Sequence, residues 1–444
     1  MQQASIAVVG SGISGLAAAW LLRQRYAVTL YEAADYAGGH THTVDAEVDG
    51  RPIAVDTGFL VYNERTYPNL IGMFSHLGIE AAASDMSFSV RLEQEDIEWA
   101  GSSIATVFAQ KRNLVRPAFL RMLADILRFN REAPRWLDRE EDADASLGDC
   151  LEAGGYCRSF RDWYLLPMAA AIWSCPMQAM LDFPARSFIR FCVNHGLLQI
   201  AGRPRWMTVR GGGREYVRRL LADLPDVRLG TPVARVQRTA DGVQVHARDG
   251  SAQRFDQIVL AAHSDQCLGM LGDADEQERA VLGAIGYQPN TAWLHTDASF
   301  LPRRPSAWSA WNYTGGFAAD GNRAVSVSYL LNRLQPLPVQ SPVVVTLNPH
   351  RDIDPGRVIG RYDYAHPLFD GGAIRAQSRL PSIQGRRRTW FCGAWAGYGF
   401  HEDGLRAGMG VAASLGVVAP WAEGRGTTAA AGAALPAPLA AARA

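Results

Sequence analysis

Lysine is nearly missing from this sequence: Lys111 is the only lysine among 44 basic residues, and all the others are arginines. Long apolar runs are missing too, since none approaches the roughly 20 residues that a helix needs to cross a bilayer. The six cysteines are scattered without CxxC or zinc-ligand spacing, so we interpret them as reduced thiols. Histidines and carboxylates show no metal-ligand spacing either, and we expect no metal site.

Excess charge of either sign is also missing. Basic and acidic residues number 44 each, the net charge is zero and the isoelectric point is about 7.1. This balance argues against a global attraction to nucleic acid, and no nucleic-acid partner is expected. No basic and apolar leader precedes the first predicted strand, which starts near Ser5, so we expect no secretory signal. The predicted location is cytoplasmic, at most peripheral at the inner membrane.

The N-terminal residues show a nucleotide-binding pattern. The apolar run Ile6–Val9 is typical of a buried parallel strand. Three glycines then match G-x-G-x-x-G, at Gly10, Gly12 and Gly15. A helix is predicted over Ile13–Arg25, and its N-terminus suits an anionic pyrophosphate. A second apolar strand, Val28–Tyr31, ends at Glu32, which is placed to accept the ribose hydroxyls. The order predicts dinucleotide binding.

A second glycine pair distinguishes FAD from NAD. Gly38 and Gly39 follow Glu32 by six residues, which suits backbone passing beside the ribityl-pyrophosphate of FAD. Next, a hairpin hinged on Asp49-Gly50 is predicted from Thr43–Val48 and Pro52–Val55. Bound FAD is therefore the predicted cofactor.

From Ile6 to about Glu80 the chain resembles the flavin-containing amine oxidase and phytoene desaturase superfamily, whose pattern there is strand, GxGxxG, helix, strand, Glu, then GG-x-T-x-T and D-x-G-x. Almost the whole chain can be laid on that family. The resemblance implies an α/β fold class: a Rossmann-like FAD-binding domain with a small β-meander, plus an inserted mixed α+β substrate domain. The implied FAD-binding domain is discontinuous, over residues 1–85, 206–279 and 351–422. The substrate domain takes 86–205 and 280–350, and 423–444 is expected to be a disordered Ala-rich tail.

Later segments agree with this pattern. A second glycine cluster at 209–213 precedes a helix predicted to about Leu224, and a meander is predicted over Val227–Phe255. The strand Ile258–Ala262 is expected to return to the nucleotide sheet. A last helix is predicted from Leu405 to about Val418, and in the family this helix points its N-terminus at the flavin pyrimidine. The cofactor residues implied are Gly10, Gly12, Ile13, Ser14, Gly15, Glu32, Ala33, Gly38, Gly39, His40, Thr41, Asp56, Thr57, Gly58, Val233, Ala261, Gly393, Ala394, Gly404 and Leu405.

The sequence departs from the amine oxidases at several points. These enzymes often hold a water against the flavin with a lysine from a substrate-domain strand, but the matching region, 286–294, has none. The arginine usual after the glycine pair is His40. No cysteine stands where some relatives attach the flavin, so the FAD is expected to be non-covalent. The candidate catalytic residues lie before and at the start of the last helix: Tyr398, Phe400, His401 and Glu402. His40 and His42 are further candidates to face the flavin, and each histidine has the alternative role of hydrogen bonding to cofactor or backbone.

A closer resemblance is to a subgroup encoded beside, or fused to, cyclopropane-fatty-acid synthases. It is carried by the stretches 392–394, 397–408 and 58–63 and by His366-Pro367. The resemblance implies dehydrogenation of a methyl-branched phospholipid acyl chain on the route to furan fatty acids. It also implies a fatty-acid methyltransferase or cyclopropane synthase as partner. Two alternatives stay open: a flavin amine oxidase of a small molecule, and a non-redox FAD-containing isomerase or lipid-binding accessory protein.

One basic segment has two interpretations. From Lys111 to Arg131 there are six positive residues and one negative residue, and apolar residues recur at helical spacing, with Pro117 at the predicted helix start. Such a helix suits an anionic membrane surface. It equally suits a domain helix with a solvated arginine face.

Overall fold

The computed structural model describes residues 3–138, 145–173, 180–199, 202–317 and 323–422. The predicted tail, 423–444, and Cys175 lie outside these residues, and the other five cysteines are free thiols. Among the described residues no helix is both long and apolar enough to cross a membrane.

The strands, in chain order, are β1 Ser5–Val9, β2 Ala27–Tyr31, β3 Thr43–Val48, β4 Arg51–Asp56, β5 Tyr62–Asn63, β6 Ala81–Ala83, β7 Phe88–Leu92, β8 Ile97–Ala100, β9 Trp206–Val209, β10 Asp226–Arg228, β11 Val233–Arg238, β12 Val243–Ala247, β13 Ala252–Phe255, β14 Gln257–Leu260, β15 Gly286–His295, β16 Trp311–Phe317, β17 Arg323–Leu330, β18 Val344–Leu347, β19 Val358–Leu368 and β20 Thr389–Phe391.

The α-helices, in chain order, are α1 Ile13–Leu22, α2 Pro68–Leu77, α3 Ile104–Val107, α4 Pro117–Glu132, α5 Leu147–Ala153, α6 Arg158–Phe160, α7 Leu166–Trp173, α8 Ala185–Asn194, α9 Arg214–Ala222, α10 Ser264–Met270, α11 Glu276–Leu282, α12 Leu331–Leu334, α13 Gly371–Arg379 and α14 His401–Ser414. A π-helical turn, Arg161–Leu165, joins α6 to α7.

The described residues form two compact units. Of the described residues, the first unit draws on those within 3–39, 220–286 and 372–422, and the second on those within 40–219 and 287–371. The two units are defined by which parts of the backbone lie close together. The domains predicted from the sequence are defined by what they bind, FAD or substrate. The two divisions need not coincide, and the predicted domain boundaries stay a prediction.

The first unit is built on a five-stranded parallel sheet in the order β10-β2-β1-β14-β20. The central strand β1 is apolar and almost wholly buried, as expected for a strand covered on both faces. Strands β11, β12 and β13 form the predicted meander as a separate antiparallel sheet. The fold class predicted from the sequence is confirmed in this unit.

The second unit mixes sheet and helix. Its seven-stranded sheet has the order β19-β15-β18-β17-β16-β7-β8, with β7 and β16 parallel and the pairs of β17 with β16 and β18 antiparallel. The hairpin β3–β4 pairs Thr43 with Asp56, as the Asp49-Gly50 turn predicts. Helices α3 to α8 occupy the chain between the sheet strands β8 and β9. A mixed α+β inserted domain was the prediction, and it is confirmed.

Helix limits differ from the prediction at two places. Helix α1 ends at Leu22 rather than Arg25. The last helix begins at His401, four residues before the predicted start at Leu405, and ends at Ser414. The early start is stabilised by Asp403, whose carboxylate accepts the backbone N–H of Phe400 at 3.1 Å in a capping arrangement.

Candidate functional site

The glycine-rich turn is shaped for a close-approaching anion. Gly10 has φ +102°, and its N–H donates to the carbonyl of Tyr31 at 2.8 Å. A Cβ placed on Gly15 would lie 1.9 Å from the Gly10 oxygen, so α1 touches the turn at van der Waals contact. A Cβ placed on Gly12 would meet nothing within 4 Å. Protein atoms therefore pack closely against the turn at Gly10 and Gly15, whereas the space beside Gly12 is free of protein atoms.

Helix α1 begins in this turn without a side-chain cap. Gly12 is its N-cap residue and has no side chain to accept the first N–H groups of the helix. Uncapped N–H groups and the helix dipole favour a negatively charged group at this end. The open space beside Gly12 and the uncapped helix end thus fit the pyrophosphate of a dinucleotide.

Glu32 is fixed beside the turn by protein donors. One carboxylate oxygen accepts the backbone N–H of Ser11 at 2.8 Å and the Ser11 hydroxyl at 2.5 Å. The other accepts the N–H of Ala34 at 2.9 Å. A carboxylate has about four acceptor sites, so acceptor capacity remains for a ribose hydroxyl. Ser11 was not among the predicted residues, and its only sequence signal is its place between the first two glycines of the motif.

The second glycine pair meets the first turn, as the sequence predicts. Gly38 donates its N–H to the carbonyl and the hydroxyl of Ser11, at 3.1 and 3.2 Å. Gly39 has φ +58°, and a Cβ there would lie 3.1 Å from the Cα of Gly12. The backbone at 38–39 therefore lies against the place where the pyrophosphate fits.

Val233 and Ala261 reach the same neighbourhood from later in the chain. Two backbone bonds, from Thr231 to Glu32 at 2.8 Å and from Gly230 to Ala34 at 2.7 Å, hold the segment before Val233 beside the acidic strand end. Ala261 donates its N–H to Val9 at 2.8 Å, at the carboxyl end of the parallel sheet. Ligands of open α/β sheets bind at this end. Ala33, between Glu32 and Ala34, is exposed.

The last helix docks on α1 through two glycines. A Cβ on Gly404 would lie 2.8 Å from Ile13 Cγ2, and one on Gly408 would lie 2.3 Å from the backbone oxygen of Ser14. The two helices can approach this closely only because these positions lack side chains. Ile13, Ser14 and Gly404 are thus in contact, and Leu405 beside them is buried. The predicted cofactor residues on the two helices are brought together.

The turn before this helix is held by Asp403. Its carboxylate accepts the N–H groups of Tyr398 and Phe400, both at 3.1 Å, and pairs with Arg406 at 2.9 Å. Burial raises the pKa of Asp403, while the Arg406 charge lowers it. Asp403 was missed in the sequence, although an acid at the third helical position is a capping signal. It orients the stretch that carries the candidate catalytic residues.

His401 and Glu402, predicted to lie beside the last helix, lie in its first turn. Burial lowers the pKa of His401 to about 3, so the imidazole is neutral at pH 7. Glu402 is buried, with 7% of its surface exposed. Gly393 and Ala394 lie just after β20, where Trp395 donates to the carbonyl of Ala262 at 3.1 Å. All these residues belong to the first unit.

In the second unit, the remaining predicted residues form one packed group. His40 accepts the N–H of Phe59 at 2.8 Å, and a Cβ on Gly58 would lie 2.1 Å from the His40 oxygen. The Thr41 hydroxyl lies 2.5 Å from that of Tyr216. These contacts fix the backbone that directly follows the second glycine pair.

Asp56 has structural partners on both carboxylate oxygens. One oxygen accepts the Thr43 hydroxyl at 2.5 Å and the Gly213 N–H at 2.9 Å, and the other accepts the Gln335 amide at 2.9 Å. Burial raises the pKa of Asp56 to about 6 despite these donors. The second glycine cluster therefore contacts the β3–β4 hairpin. A direct bond from Asp56 to the cofactor stays a prediction.

A cluster of histidines and tyrosines was only partly visible in the sequence. Strand β19 presents three alternate residues on one face, Tyr362, Tyr364 and His366. The His40 ring lies 5.0 Å from the Tyr364 ring and 5.3 Å from the His366 ring, and His42 lies 4.9 Å from Tyr362. Tyr362 and Tyr364 were missed, because no local pattern links β19 to His40.

Hydrogen bonds connect this histidine–tyrosine cluster. The Thr57 hydroxyl lies 2.8 Å from His42 Nδ1 and 2.8 Å from the Tyr364 hydroxyl. Asn290 on β15 donates its amide to His366 Nδ1 at 2.7 Å. Hydroxyl and imidazole groups both donate and accept, so the bonds among His42, Thr57 and Tyr364 can hold and pass a proton.

Comparison with known proteins agrees with this geometry. The family model described as flavin containing amine oxidoreductase matches residues 13–331. The carotenoid phi-ring synthase of Streptomyces griseus is 27% identical over 325 residues, which span 68% of this chain and 59% of that protein. The chain thus spans less than two thirds of that relative's length.

Solved structures show the same fold at low identity. A fatty acid isomerase from P. acnes that produces CLA has a TM-score of 0.66 at 17% identity, covering 94% of this chain and 100% of that one. Cyclohexylamine oxidase from Brevibacterium oxydans has a TM-score of 0.68 at 15% identity, covering 93% and 99%. Putrescine oxidase bound to putrescine has a TM-score of 0.65 at 17% identity, covering 93% and 99%.

Proposed function

Because the chain belongs to the family of flavin-containing amine oxidoreductases, with FAD as its cofactor, we propose that it dehydrogenates a hydrophobic, lipid-like substrate. The substrate we propose is a methyl-branched or otherwise modified phospholipid acyl chain. The enzyme class, an FAD-dependent oxidoreductase, follows from the family. The finer assignment rests on the residues of this chain.

The observation that carries the proposal is the composition of strand β15. Gly286–His295 covers the region where amine oxidases resembling this chain place a lysine that holds water at the flavin, and it contains no lysine. The chain's single lysine, Lys111, lies instead on the exposed 3₁₀ turn Lys111–Val115. The same strand carries Asn290, whose amide binds His366. This favours a dehydrogenase over an oxygen-consuming amine oxidase.

The names of two similar proteins support a hydrophobic substrate. The Streptomyces relative acts on a carotenoid ring, and the P. acnes enzyme acts on a fatty acid. The same fold also serves cyclohexylamine oxidase, so the fold does not select between lipid and amine. The proposal therefore rests on the residues of this chain as well as on its fold.

The chain's own groups supply binding and proton handling. When bound, FAD supplies a two-electron acceptor for a hydride from the substrate. The open side of the Gly12 turn and the uncapped start of α1 would hold the pyrophosphate, and Glu32 would accept a ribose hydroxyl. Neutral His401 has a lone pair that can take the second hydrogen as a proton. Asp403 keeps His401 in place by fixing the helix start.

Anaerobic bleaching of the bound flavin tests the proposal. We expect a methyl-branched phospholipid to bleach the yellow holoenzyme and to gain one double bond per flavin reduced. No bleaching by any lipid, together with hydrogen peroxide released from an amine panel, would contradict the proposal and assign an amine oxidase. Turnover of a lipid without net flavin reduction would instead assign the isomerase alternative.

Replacement of His401 tests the proton-transfer role. We expect His401→Ala to slow flavin reduction by the substrate roughly 10²- to 10⁴-fold while FAD stays bound, since a positioned base contributes about that much. With a pKa of about 3, His401 stays unprotonated down to pH 5, so its protonation causes no loss of wild-type rate between pH 8 and pH 5. Stopped-flow absorbance measures the rate. His76→Ala, on the exposed side of α2, is the control, and an unchanged rate in the His401 variant removes the role.

A further inference from the structure

One short part of the second unit exposes an unusual share of the apolar surface. Among the described residues nine large apolar side chains are exposed, and five of them lie between positions 104 and 127. Ile104 and Val115 are each 81% exposed, Leu127 is 56% exposed, Leu114 53% and Leu120 43%. Scattered single apolar residues are ordinary on a protein surface, whereas a group of this kind marks an interaction site.

Helix α4 shows why these side chains remain outside. It buries Phe119, Met122 and Phe129 against the unit and so satisfies one apolar face. A second stripe at helical spacing stays exposed, formed by Leu120, Ala124, Leu127 and Arg131. Leu114 and Val115, on the 3₁₀ turn just before α4, are exposed as well. The tilted ring contact of Phe108 with Phe119, at 5.9 Å between ring centroids, ties the end of α3 to the start of α4. We call the exposed residues from Ile104 to Leu127 the basic–apolar surface.

The charge of this surface has one sign. From Ser102 to Ala124 the sequence holds four cations, Lys111, Arg112, Arg116 and Arg121, and no carboxylate. Arg112 pairs with exposed Asp96, and Arg116 is held by the carbonyl of Glu95 at 3.0 Å and by the ring of Trp163. Lys111 and Arg121 are exposed. The protein as a whole carries no net charge, so this cationic character is local.

We propose that the basic–apolar surface docks on an anionic lipid bilayer. Exposed Leu, Ile and Val side chains enter the boundary between headgroups and acyl chains, while Lys111 and Arg121 lie among anionic headgroups. The combination of exposed apolar side chains with interspersed cations matches that interface, since apolar burial and headgroup charge act together there. The one carboxylate between Ile104 and Leu127, Asp125, is paired with Arg128 at 3.0 Å. The inference goes beyond the proposed function and rests on none of the site residues.

Vesicle flotation of the yellow holoenzyme tests the docking. We expect the protein to float with vesicles of phosphatidylcholine and phosphatidylglycerol and to stay unbound with phosphatidylcholine alone. The double variant Leu114→Glu/Val115→Glu should bind at least about tenfold more weakly, because it removes two inserted apolar side chains and adds repelling charge. The matched control is Leu229→Glu/Val418→Glu, which alters exposed apolar residues of the first unit and should float like the wild type.

Three results would overturn the proposal: wild-type protein that ignores anionic vesicles, equal binding by the two double variants, and a wild-type dimer that Leu114→Glu/Val115→Glu dissociates. The last result, read by sedimentation velocity, would assign the surface to a second copy of this chain. Flavin reduction by detergent-solubilised substrate is measured on the same samples and should be unchanged in both variants. Failure of docking is therefore distinguishable from failure of the proposed dehydrogenation.

Discussion

Gly12→Ala is expected to give a folded but colourless protein. The added methyl group meets no protein atom within 4 Å, and Gly12 has φ −63°, which alanine adopts freely. The free energy of unfolding of the apoprotein should change by about 1 kcal/mol or less, because alanine is only a poorer N-cap than glycine. The same methyl group occupies the open side of the turn, where the pyrophosphate has to approach the backbone. A pyrophosphate kept away from the backbone N–H groups of the turn should bind more weakly, and we expect FAD affinity to fall by at least about 100-fold.

The measurement is the flavin absorbance of the purified protein, with fluorescence titration of apoprotein with FAD and thermal unfolding without it. Gly410→Ala is the matched control, because a Cβ there also meets nothing within 4 Å but lies on α14, six residues after Gly404. It should keep its colour and gain up to about 1 kcal/mol as a helix-interior Gly→Ala change. A yellow Gly12→Ala protein with unchanged FAD affinity would show that the pyrophosphate lies elsewhere.

Gly15→Ala, only three residues later, is expected to disrupt the fold itself. Its Cβ would lie 1.9 Å from the backbone oxygen of Gly10 and 3.0 Å from the Ala261 Cβ. Neither the turn nor the strand end can move away easily, since Gly10 is bonded to Tyr31 and Ala261 to Val9. Helix α1 must shift off the sheet, which costs about 3 kcal/mol or more and exceeds the helix-propensity gain of about 1 kcal/mol.

Urea unfolding of the apoprotein, followed by circular dichroism, measures this loss. Gly269→Ala on α10 is the control, because its added methyl group meets nothing within 4 Å, and its stability should not fall. The two substitutions in one motif are thus expected to have different effects. Gly12→Ala should lower FAD affinity, and Gly15→Ala should lower the stability of the fold. Equal stability of Gly15→Ala and the wild type would contradict the close helix–strand contact.

The nucleotide-binding unit was predictable because its elements are specified by residues that are close in sequence. A buried apolar strand, a glycine turn and an amphipathic or apolar helix each show in a few consecutive residues, and β1, α1 and β2 lie within the first 31 residues. The β3–β4 hairpin was equally readable from Asp49-Gly50, where both residues have positive φ. The last helix, α14, starts four residues before its predicted start at Leu405, because Asp403 caps the backbone at Phe400.

The histidine–tyrosine cluster could not be predicted in full. His40 and His42 stand next to a recognisable motif, but Tyr362 and Tyr364 lie more than 300 residues further along an otherwise unremarkable strand. The contact of these tyrosines with His40 and His42 depends on the position of β19 in the second unit. Likewise, nothing in the sequence indicates that Gln335 completes the hydrogen bonding of Asp56.

The sequence by itself determined the nucleotide-binding fold, the FAD motif and the basic character of the 111–131 segment, because backbone geometry and charge follow from neighbouring residues. Only the tertiary structure decided which polar groups of distant segments share hydrogen bonds, that burial keeps His401 neutral, and which apolar side chains of α4 stay exposed. The physical reason is that burial and long-range pairing depend on how whole helices and strands pack, and this packing is not specified by residues that are close in sequence.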